Sequence, residues 1–356
     1  MTDLETLVWL NLSGMVGSAL LRRIRERFGG ADLRRLGARD LERVPGIGPI
    51  TSRAIREAPD PGPELELAAR HGIEILPCDG PAFPPLLKGL FDHPVVLYRR
   101  GRTTEADLLS IGLVGSRECT DYGRRQAGRF GEELARLRVT VVSGLARGVD
   151  TAAHRGALRA PEGRTIAVLG SGLLRPYPPE NARLLESIVE RGAALSEFPL
   201  EARPETVHFP RRNRLISGLS QGVLVVEAAE KSGALITADW ALEQNREVFC
   251  LPGPVESPLS RGCHRLIQQG AKLVEEAADL LEELPAFAAL LEPAVSLSPL
   301  ERAVARQLGD RPASAEAIAL ATRLPASSVE RALQALAAKG AARAAGEDAF
   351  LRAQGA

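Results

Sequence analysis

The chain has 356 residues, of which 45% are hydrophobic and 25% charged, and its 45 basic residues balance its 45 acidic residues. This length predicts two or three domains, and the composition is typical of a globular protein with a sizeable core. Because the net charge is zero, bulk charge gives no argument for nucleic-acid binding, and any basic surface must be local.

The start of the chain and its cysteines predict a cytoplasmic protein. The first residues, Met-Thr-Asp-Leu-Glu, carry no basic region, and no long apolar run follows anywhere, so we expect neither secretion nor a membrane partner. The four cysteines have no CxxC spacing, which favours reduced thiols over a zinc site or a disulfide framework.

Residues 1–65 are predicted to form a helical domain similar to SAM or helix-hairpin-helix domains. Apolar residues recur at helical spacing from Leu4 to Ile24, and Val44-Pro-Gly-Ile-Gly48 lies between two helical segments. In a helix-hairpin-helix, such glycines let a turn approach a phosphate. The same turn can also serve packing alone, and the sequence leaves both functions open.

Residues 66–285 alternate short apolar strands with amphipathic helices after a break at 59–63. We expect strands at 73–76, 95–98, 110–114, 139–143, 165–169, 193–196, 222–227 and 247–251. We expect helices at 122–137, 149–158, 179–190, from 209 onward, 232–244 and 261–269. This pattern predicts an α/β fold with an extended Rossmann-like, doubly wound and mainly parallel sheet covered on both faces.

Ligands of such sheets bind at the carboxyl ends of the strands, against the helix N-termini. Glycines, hydroxyls and arginines recur there in several consecutive loops, which is typical of an anion-binding surface. The stretch Phe209-Pro-Arg-Arg-Asn-Arg214 adds a ring for stacking on bases and guanidinium groups for phosphates. Taken alone, it also fits a helix start with solvated arginines and a phenylalanine in the core.

A linker rich in Ala, Leu and Pro is predicted at 286–298, and residues 299–356 are predicted to form a domain similar to a winged helix. Residues 296–356 carry eight Lys/Arg and six Asp/Glu. This small basic excess leaves open whether the module contacts DNA, contacts protein or only regulates.

Two sequence patterns are typical of enzymes, but neither supports a catalytic function here. The run Ala167-Val-Leu-Gly-Ser-Gly172 resembles a dinucleotide fingerprint, but Arg175 occupies the third glycine position and prolines delay the helix, so no cofactor is expected. Asp150 and His154 are spaced for acid–base or metal chemistry. We favour instead a capping role for Asp150 and a buried hydrogen bond for His154. The site is therefore predicted to bind a ligand without catalysis and without a metal.

Taken together, the motifs resemble the DNA-processing protein A (DprA/Smf) family over residues 70–285. The resemblance is carried by Val114-Gly-Ser-Arg117, Ser143-Gly-Leu-Ala-Arg-Gly-Val-Asp150, Thr165-Ile-Ala-Val-Leu-Gly170, Phe209-Pro210, Arg212-Asn-Arg214, Glu227-Ala228, Ser232-Gly-Ala-Leu-Ile-Thr-Ala238 and Leu251-Pro-Gly253. The helical N-terminal part and the winged-helix-like tail match the three-part architecture of some members.

The resemblance implies a homodimeric, non-enzymatic protein of natural transformation that binds single-stranded DNA. Such proteins protect incoming single strands and help to load RecA recombinase onto them. By position, Arg117, Phe209, Arg212 and Arg214 would form the pocket for phosphates and a splayed base. The full set of residues expected to contact DNA is Gly115, Ser116, Arg117, Arg147, Gly170, His208, Phe209, Arg211, Arg212, Asn213, Arg214, Lys231, Ser232 and Gly233.

The alternative is an enzyme that binds or hydrolyses nucleotides on a related Rossmann scaffold, such as a nucleotide N-glycosidase. Those enzymes carry a Pro-Gly-Gly-x-Gly-Thr run followed by a Glu. The comparable strand here ends in Glu227-Ala-Ala-Glu-Lys-Ser-Gly233, which lacks that run.

Overall fold

A computed structural model describes residues 3–29, 32–288, 298–309, 312–339, 342–345 and 349–352. Contacts divide the chain into two compact units, residues 1–289 and 290–356. Residues 289–297 of the predicted linker lie outside the described residues. Within the described part, no helix is long and apolar enough to cross a membrane.

The first unit is built on a nine-stranded sheet. Its strands are β1 (Glu74–Pro77), β2 (Val96–Gly101), β3 (Ser110–Val114), β4 (Thr140–Ser143), β5 (Thr165–Val168), β6 (Ala193–Ser196), β7 (Gly222–Val225), β8 (Glu247–Cys250) and β9 (Lys272–Leu273). Their order in the sheet is β1-β2-β6-β5-β4-β3-β7-β8-β9. The pairs β1/β2 and β2/β6 are antiparallel, and all others are parallel.

Full burial of the central strands shows that both faces of this sheet are covered. Every residue of β3, β4, β5, β6 and β7 is buried. Since successive side chains of a strand point to opposite faces, burial of all of them requires cover on both sides. This confirms the predicted doubly wound, mainly parallel sheet.

The helices of this unit follow the predicted alternation. They are α1 (Asp3–Leu12), α2 (Ser18–Phe28), α3 (Ala38–Leu41), α4 (Pro49–Arg56), α5 (Gly62–Arg70), α6 (Pro85–Lys88), α7 (Asp121–Arg136), α8 (Val149–Arg159), α9 (Ala182–Arg191), α10 (His208–Gly218), α11 (Gly233–Glu243), α12 (Arg261–Gln268) and α13 (Ala277–Glu282). Helix α5 begins inside the segment predicted to be a break, because prolines are tolerated in the first turn of a helix.

The N-terminal helices share one hydrophobic core with the sheet. Leu7, Val8 and Leu10 of α1 are fully buried in it. The Asn11 amide donates a hydrogen bond to the Glu197 carbonyl oxygen (3.2 Å), which ties α1 to the loop after β6. The helical segment therefore forms one wall beside the sheet edge where the site lies. Its similarity to SAM or helix-hairpin-helix domains stays a prediction.

The second unit contains helices α14 (Pro299–Ala305), α15 (Ala315–Thr322) and α16 (Ala326–Ala338). A three-stranded antiparallel sheet joins them, with the order β10 (Ala313–Ser314), β12 (Ala349–Arg352), β11 (Ala342–Ala344). Val304, Ile318, Val329 and Leu333 form part of its separate core. The predicted helices and ribbon are present with one additional short strand, and the winged-helix similarity stays a prediction.

Candidate nucleic-acid interface

The loop Gly115-Ser116-Arg117 leaves the carboxyl end of β3 and is held in place by Glu227, which lies just after β7. The Ser116 amide donates to the Glu227 carbonyl oxygen (2.7 Å). The Glu227 carboxylate accepts from the amide of Thr120 (2.8 Å) and from its hydroxyl, which holds the start of α7. A Cβ at Gly115 would lie 2.6 Å from Val149, so a side chain does not fit at this position. Arg117 is therefore presented to solvent on a rigid loop.

Phe209 lies in the first turn of α10 and packs between a glycine and an arginine. A Cβ at Gly170 would meet its Cδ1 at 2.8 Å, so the ring lies directly on the loop after β5. The Arg117 guanidinium carbon lies 4.9 Å from the centre of the same ring. Tyr177 contributes a second ring, tilted by 51° with its centre 5.9 Å away. These four residues form an aromatic and cationic surface at the sheet edge.

This surface opens into a cavity of about 850 Å³ at the carboxyl ends of the strands. The cavity collects residues from six separate segments of the chain. Nine of the fourteen predicted contact residues line it: Gly115, Ser116, Arg117, Phe209, Arg212, Asn213, Lys231, Ser232 and Gly233. The structure thus brings together segments that lie about a hundred residues apart in sequence.

The start of α11 forms the opposite wall of the cavity. The Ser232 hydroxyl accepts from the Ala234 amide (3.2 Å) and caps the helix. The Asn213 side chain donates to the Gly233 carbonyl oxygen (3.1 Å) and connects α10 with α11. Lys231 is exposed at the rim, where its ammonium can pair with a phosphate.

Arg212 lines the cavity but serves mainly to hold its floor. Only 3% of the residue is exposed. Its Nη1 donates to the Gly144 carbonyl oxygen (2.6 Å) and to the Val168 carbonyl oxygen, which ties together the ends of β4 and β5. Burial lowers the pKa of Arg212 to about 10, against the opposing effect of the Asp150 carboxylate. Because the Arg212 guanidinium is buried and bonded to these two carbonyl oxygens, a phosphate in the cavity can contact only its outer edge.

Arg214, also in the predicted contact set, lies away from the main cavity. Its guanidinium donates to the Glu197 carboxylate (2.7 Å) and to the Asp92 carboxylate (3.0 Å), and only 4% of the residue is exposed. Arg214 lines the cavity beside the N-terminal helices and not the main cavity, and two carboxylates already compensate its charge. Its guanidinium joins α10 to the loop before β2 and to the loop after β6.

Two more predicted residues lie with Arg214 on the far side of α10. The His208 ring stacks on Phe198 with centres 4.1 Å apart. Arg211 Nε lies 3.3 Å from Glu197 Oε1, and its guanidinium lies over the same Phe198 ring. Arg211 lines a different cavity of about 580 Å³ beside the N-terminal helices. The structure therefore does not bring His208 and Arg211 into the aromatic surface.

Arg147 and Gly170 support the site from its edges. The Arg147 guanidinium pairs with the Glu180 carboxylate and lies 5.7 Å from the centre of the Tyr177 ring. Arg147 lines a neighbouring groove rather than the main cavity. Gly170 is buried beneath Phe209 and acts by leaving room for the ring.

His154 has the buried hydrogen bond favoured from the sequence, and Asp150 carries its charge in the first turn of α8 but caps the preceding loop rather than the helix. The Asp150 carboxylate accepts from the amides of Gly144 (3.1 Å) and Ala146 (3.3 Å) and so caps the loop after β4. His154 is fully buried, and its Nδ1 lies 2.7 Å from the Thr165 hydroxyl oxygen. Burial lowers the pKa of His154 to about 3, so the ring is neutral near pH 7.

Sequence reasoning missed two residues that shape this interface. Tyr177 belongs to the run Pro176-Tyr-Pro-Pro179 and to a Tyr-Pro motif of the family resemblance, but the sequence assigned it no contact with a ligand, although its ring lies beside Phe209. Glu227 was recognised within a motif but without a role, and it proves to position the Arg117 loop through Thr120. A tyrosine that follows the carboxyl end of a predicted strand was the available signal for the first.

Fold and site together define an α/β protein whose doubly wound sheet carries an arginine–aromatic cleft at its carboxyl edge. A model of the family described as DNA recombination-mediator protein A matches residues 74–285. The chain belongs to this family, which confirms the resemblance drawn from its motifs.

The matched relatives and structures carry the same family names. The chain is 51% identical over 211 residues to protein Smf of Escherichia coli, a match that covers 59% of this chain but only 56% of that protein. It is similar to the structure of DNA processing protein A of Streptococcus pneumoniae (TM-score 0.68, 36% identity, 80% of this chain and 98% of that chain). It is also similar to DNA processing protein A of Helicobacter pylori (TM-score 0.54, 29% identity, 60% and 97%), a structure described for its single-stranded DNA binding mode.

Proposed function

We propose that this protein binds single-stranded DNA through the cleft around Arg117 and Phe209 and thereby mediates recombination. The observation that carries the proposal is the stacking of the Arg117 guanidinium over the Phe209 ring at the mouth of an open cavity. A half-buried ring beside guanidinium and ammonium groups suits bases and phosphates at once. Membership in the recombination-mediator family supports the same ligand, and so does the single-strand binding of the Helicobacter pylori relative.

The ligand is a single strand rather than a duplex. A base can stack on Phe209 or Tyr177 only after it has left its own helical stack, which is cheap in a single strand and costly in a duplex. The cavity is also lined by a lysine and arginines from separate loops, as suits a flexible backbone.

We further propose that the site binds DNA and does not react with it. Of the pair spaced for acid–base chemistry, Asp150 lines the cavity, but its carboxylate accepts from the Gly144 and Ala146 amides, and His154 is fully buried. A general acid or base must reach the proton that it transfers, and His154 is not among the residues that line the cavity, so the two groups do not act together on a ligand there.

The broader role proposed is that of a homodimeric cytoplasmic protein of natural transformation that helps to load RecA recombinase onto single strands. Family membership supports this role. A strand-exchange reaction with DNA coated by single-strand-binding protein would test it, because a mediator shortens the lag before RecA filaments form. Light scattering of the pure protein would give its mass in solution.

The DNA site is tested by titrating a fluorescent oligothymidylate at fixed salt with Phe209→Ala and Arg117→Ala. We expect Phe209→Ala to weaken binding by about 1–3 kcal/mol, the contribution of a stacked base. We expect Arg117→Ala to weaken binding and also to reduce its salt dependence, since a phosphate contact is lost. Phe91→Ala and Arg22→Ala are matched controls, because both residues are exposed on the same unit but outside the cavity. Wild-type affinity in both cavity variants would refute the site.

A further inference from the structure

A groove lined by arginines extends from the cleft along helices α7 and α8. It has two parts of about 560 and 640 Å³, which share Arg124, Gly128 and Arg159. The first part also shares Arg117 with the main cavity. We call these two parts the arginine groove. It therefore begins at the arginine that covers Phe209.

Close packing of α7 against α8 gives the groove a floor of backbone. A Cβ at Gly156 of α8 would overlap the Gly128 carbonyl oxygen of α7, and a Cβ at Gly131 would overlap the Ala153 carbonyl oxygen. Glycines at these contacts let the two helices approach backbone to backbone. The long side chains on either rim then rise above a shallow floor, as a bound polymer backbone requires.

The charge of the groove is unlike that of the whole chain. It is lined by three glutamates (Glu132, Glu133 and Glu180) and by eight arginines, Arg117, Arg124, Arg125, Arg129, Arg136, Arg147, Arg155 and Arg159. Five positive charges are thus in excess locally, in a protein whose total net charge is zero. Such a concentration of one sign attracts an anionic polymer.

Ion pairs compensate only part of the charge at the end of the groove nearest the cleft. Arg129 pairs with Glu133 (3.3 Å), Arg159 with Glu132 (2.6 Å) and Arg147 with Glu180. Near Arg117, by contrast, Arg124 has only an exposed contact with Asp121 (3.4 Å), a kind of pair that contributes little.

Arg155 completes this end of the groove. It is exposed on α8, and the described part of the chain gives it no ion pair. Arg124 and Arg155 thus leave weakly compensated positive charge beside the ligand site, which a face of ordinary helix-stabilising pairs would neutralise.

We propose that the arginine groove binds the sugar–phosphate backbone of the same DNA strand beyond the base that stacks on Phe209. The strand then runs from the cleft past Arg117 onto Arg124 and Arg155, and α7 offers about 18 Å of track between Arg124 and Arg136. This inference rests on the proposed function of the cleft. It adds a second contact region that only longer strands reach.

The test compares a short and a long oligothymidylate, of about six and about twenty-five nucleotides, on the full chain. The variant is Arg124→Gln/Arg155→Gln. Its matched control is Arg22→Gln/Arg70→Gln, which removes the same charge from exposed arginines outside every cavity of this surface. Thermal unfolding of each variant reports whether the fold is retained.

We expect the groove variant to bind the long strand on the order of tenfold more weakly, while its affinity for the short strand stays that of the wild type. The salt dependence for the long strand should fall by about 1.4, since each lost single-strand phosphate contact contributes about 0.7. A loss equal to that of the control, or an equal loss for both strands, overturns the inference. Unchanged binding of the long strand also overturns it. Failure of Phe209→Ala to affect the short strand would instead refute the cleft itself.

Discussion

Gly170→Ala adds one methyl group beneath the Phe209 ring and so tests whether the position of that ring matters for binding. The new Cβ would lie 2.8 Å from Cδ1, 3.2 Å from Cε1 and 3.4 Å from Cγ. Carbon atoms in contact are separated by about 3.5–4.0 Å, so the ring must move by about 1 Å. The φ angle of Gly170 is not positive, and the backbone itself therefore accepts alanine.

The cost of this substitution should fall on binding more than on folding. Phe209 is half-buried in the first turn of α10, whereas Leu215 and Ile216 further along the helix are fully buried, so the ring moves and the helix stays. Displacing one side chain costs about 1 kcal/mol of folding free energy. The displaced ring also loses its alignment with Arg117, and we expect affinity for single-stranded DNA to fall about fivefold, part of the stacking energy of one base.

The measurement is fluorescence anisotropy with an oligothymidylate, and Gly89→Ala is the matched control. Gly89 is exposed outside the cavity, and a Cβ there would have no neighbour closer than 4.0 Å. In the Phe209→Ala background, Gly170→Ala should have no further effect, because no ring remains to be displaced. If Gly170→Ala costs as much in that background as in the wild type, ring displacement is not the cause and the reasoning fails.

Two further predictions concern the buried polar groups beneath the cleft. Arg212→Met should lower the free energy of unfolding by about 3–5 kcal/mol in urea titrations, because it leaves the Gly144 carbonyl oxygen and the Asp150 carboxylate without their buried cation. Adding Asp150→Asn should recover part of that loss. Strictly additive losses from the two substitutions would contradict the coupling between these residues. Burial lowers the pKa of His154 to about 3, whereas the pKa of a histidine in the unfolded chain is 6.5. Between these two pH values only the unfolded chain takes up a proton at this residue. This group should therefore make the protein about 2 kcal/mol less stable at pH 5 than at pH 8. A His154→Gln variant that keeps the full pH dependence of the wild type would disprove that assignment.

The sheet could be predicted from the sequence because its central strands are continuous apolar runs. Runs such as 110–114 and 222–227 are buried on both faces, and no amphipathic alternation competes with that interpretation. The two-residue strand β9 and helix α13 were not predicted. Elements of that length carry too few residues for a period to emerge, and their tertiary contacts decide their structure.

The site was harder to predict, because its arginines are distributed around a helix. Residues of an α-helix are 100° apart, so the four residues from Arg211 to Arg214 cover about 300° and cannot all face one ligand. Phe209, Arg212 and Asn213 are spaced i, i+3, i+4 and line the main cavity.

Arg211 and Arg214, spaced i, i+3, face the other cavity and share the Glu197 carboxylate. Helical spacing alone, once α10 is placed over 208–218, separates these two faces of the motif. Helical spacing does not show which face will meet acidic side chains, because Glu197 and Asp92 come from distant loops. A run of arginines beside a ligand site therefore divides by helical phase into those that hold the helix in place and those that line the cavity.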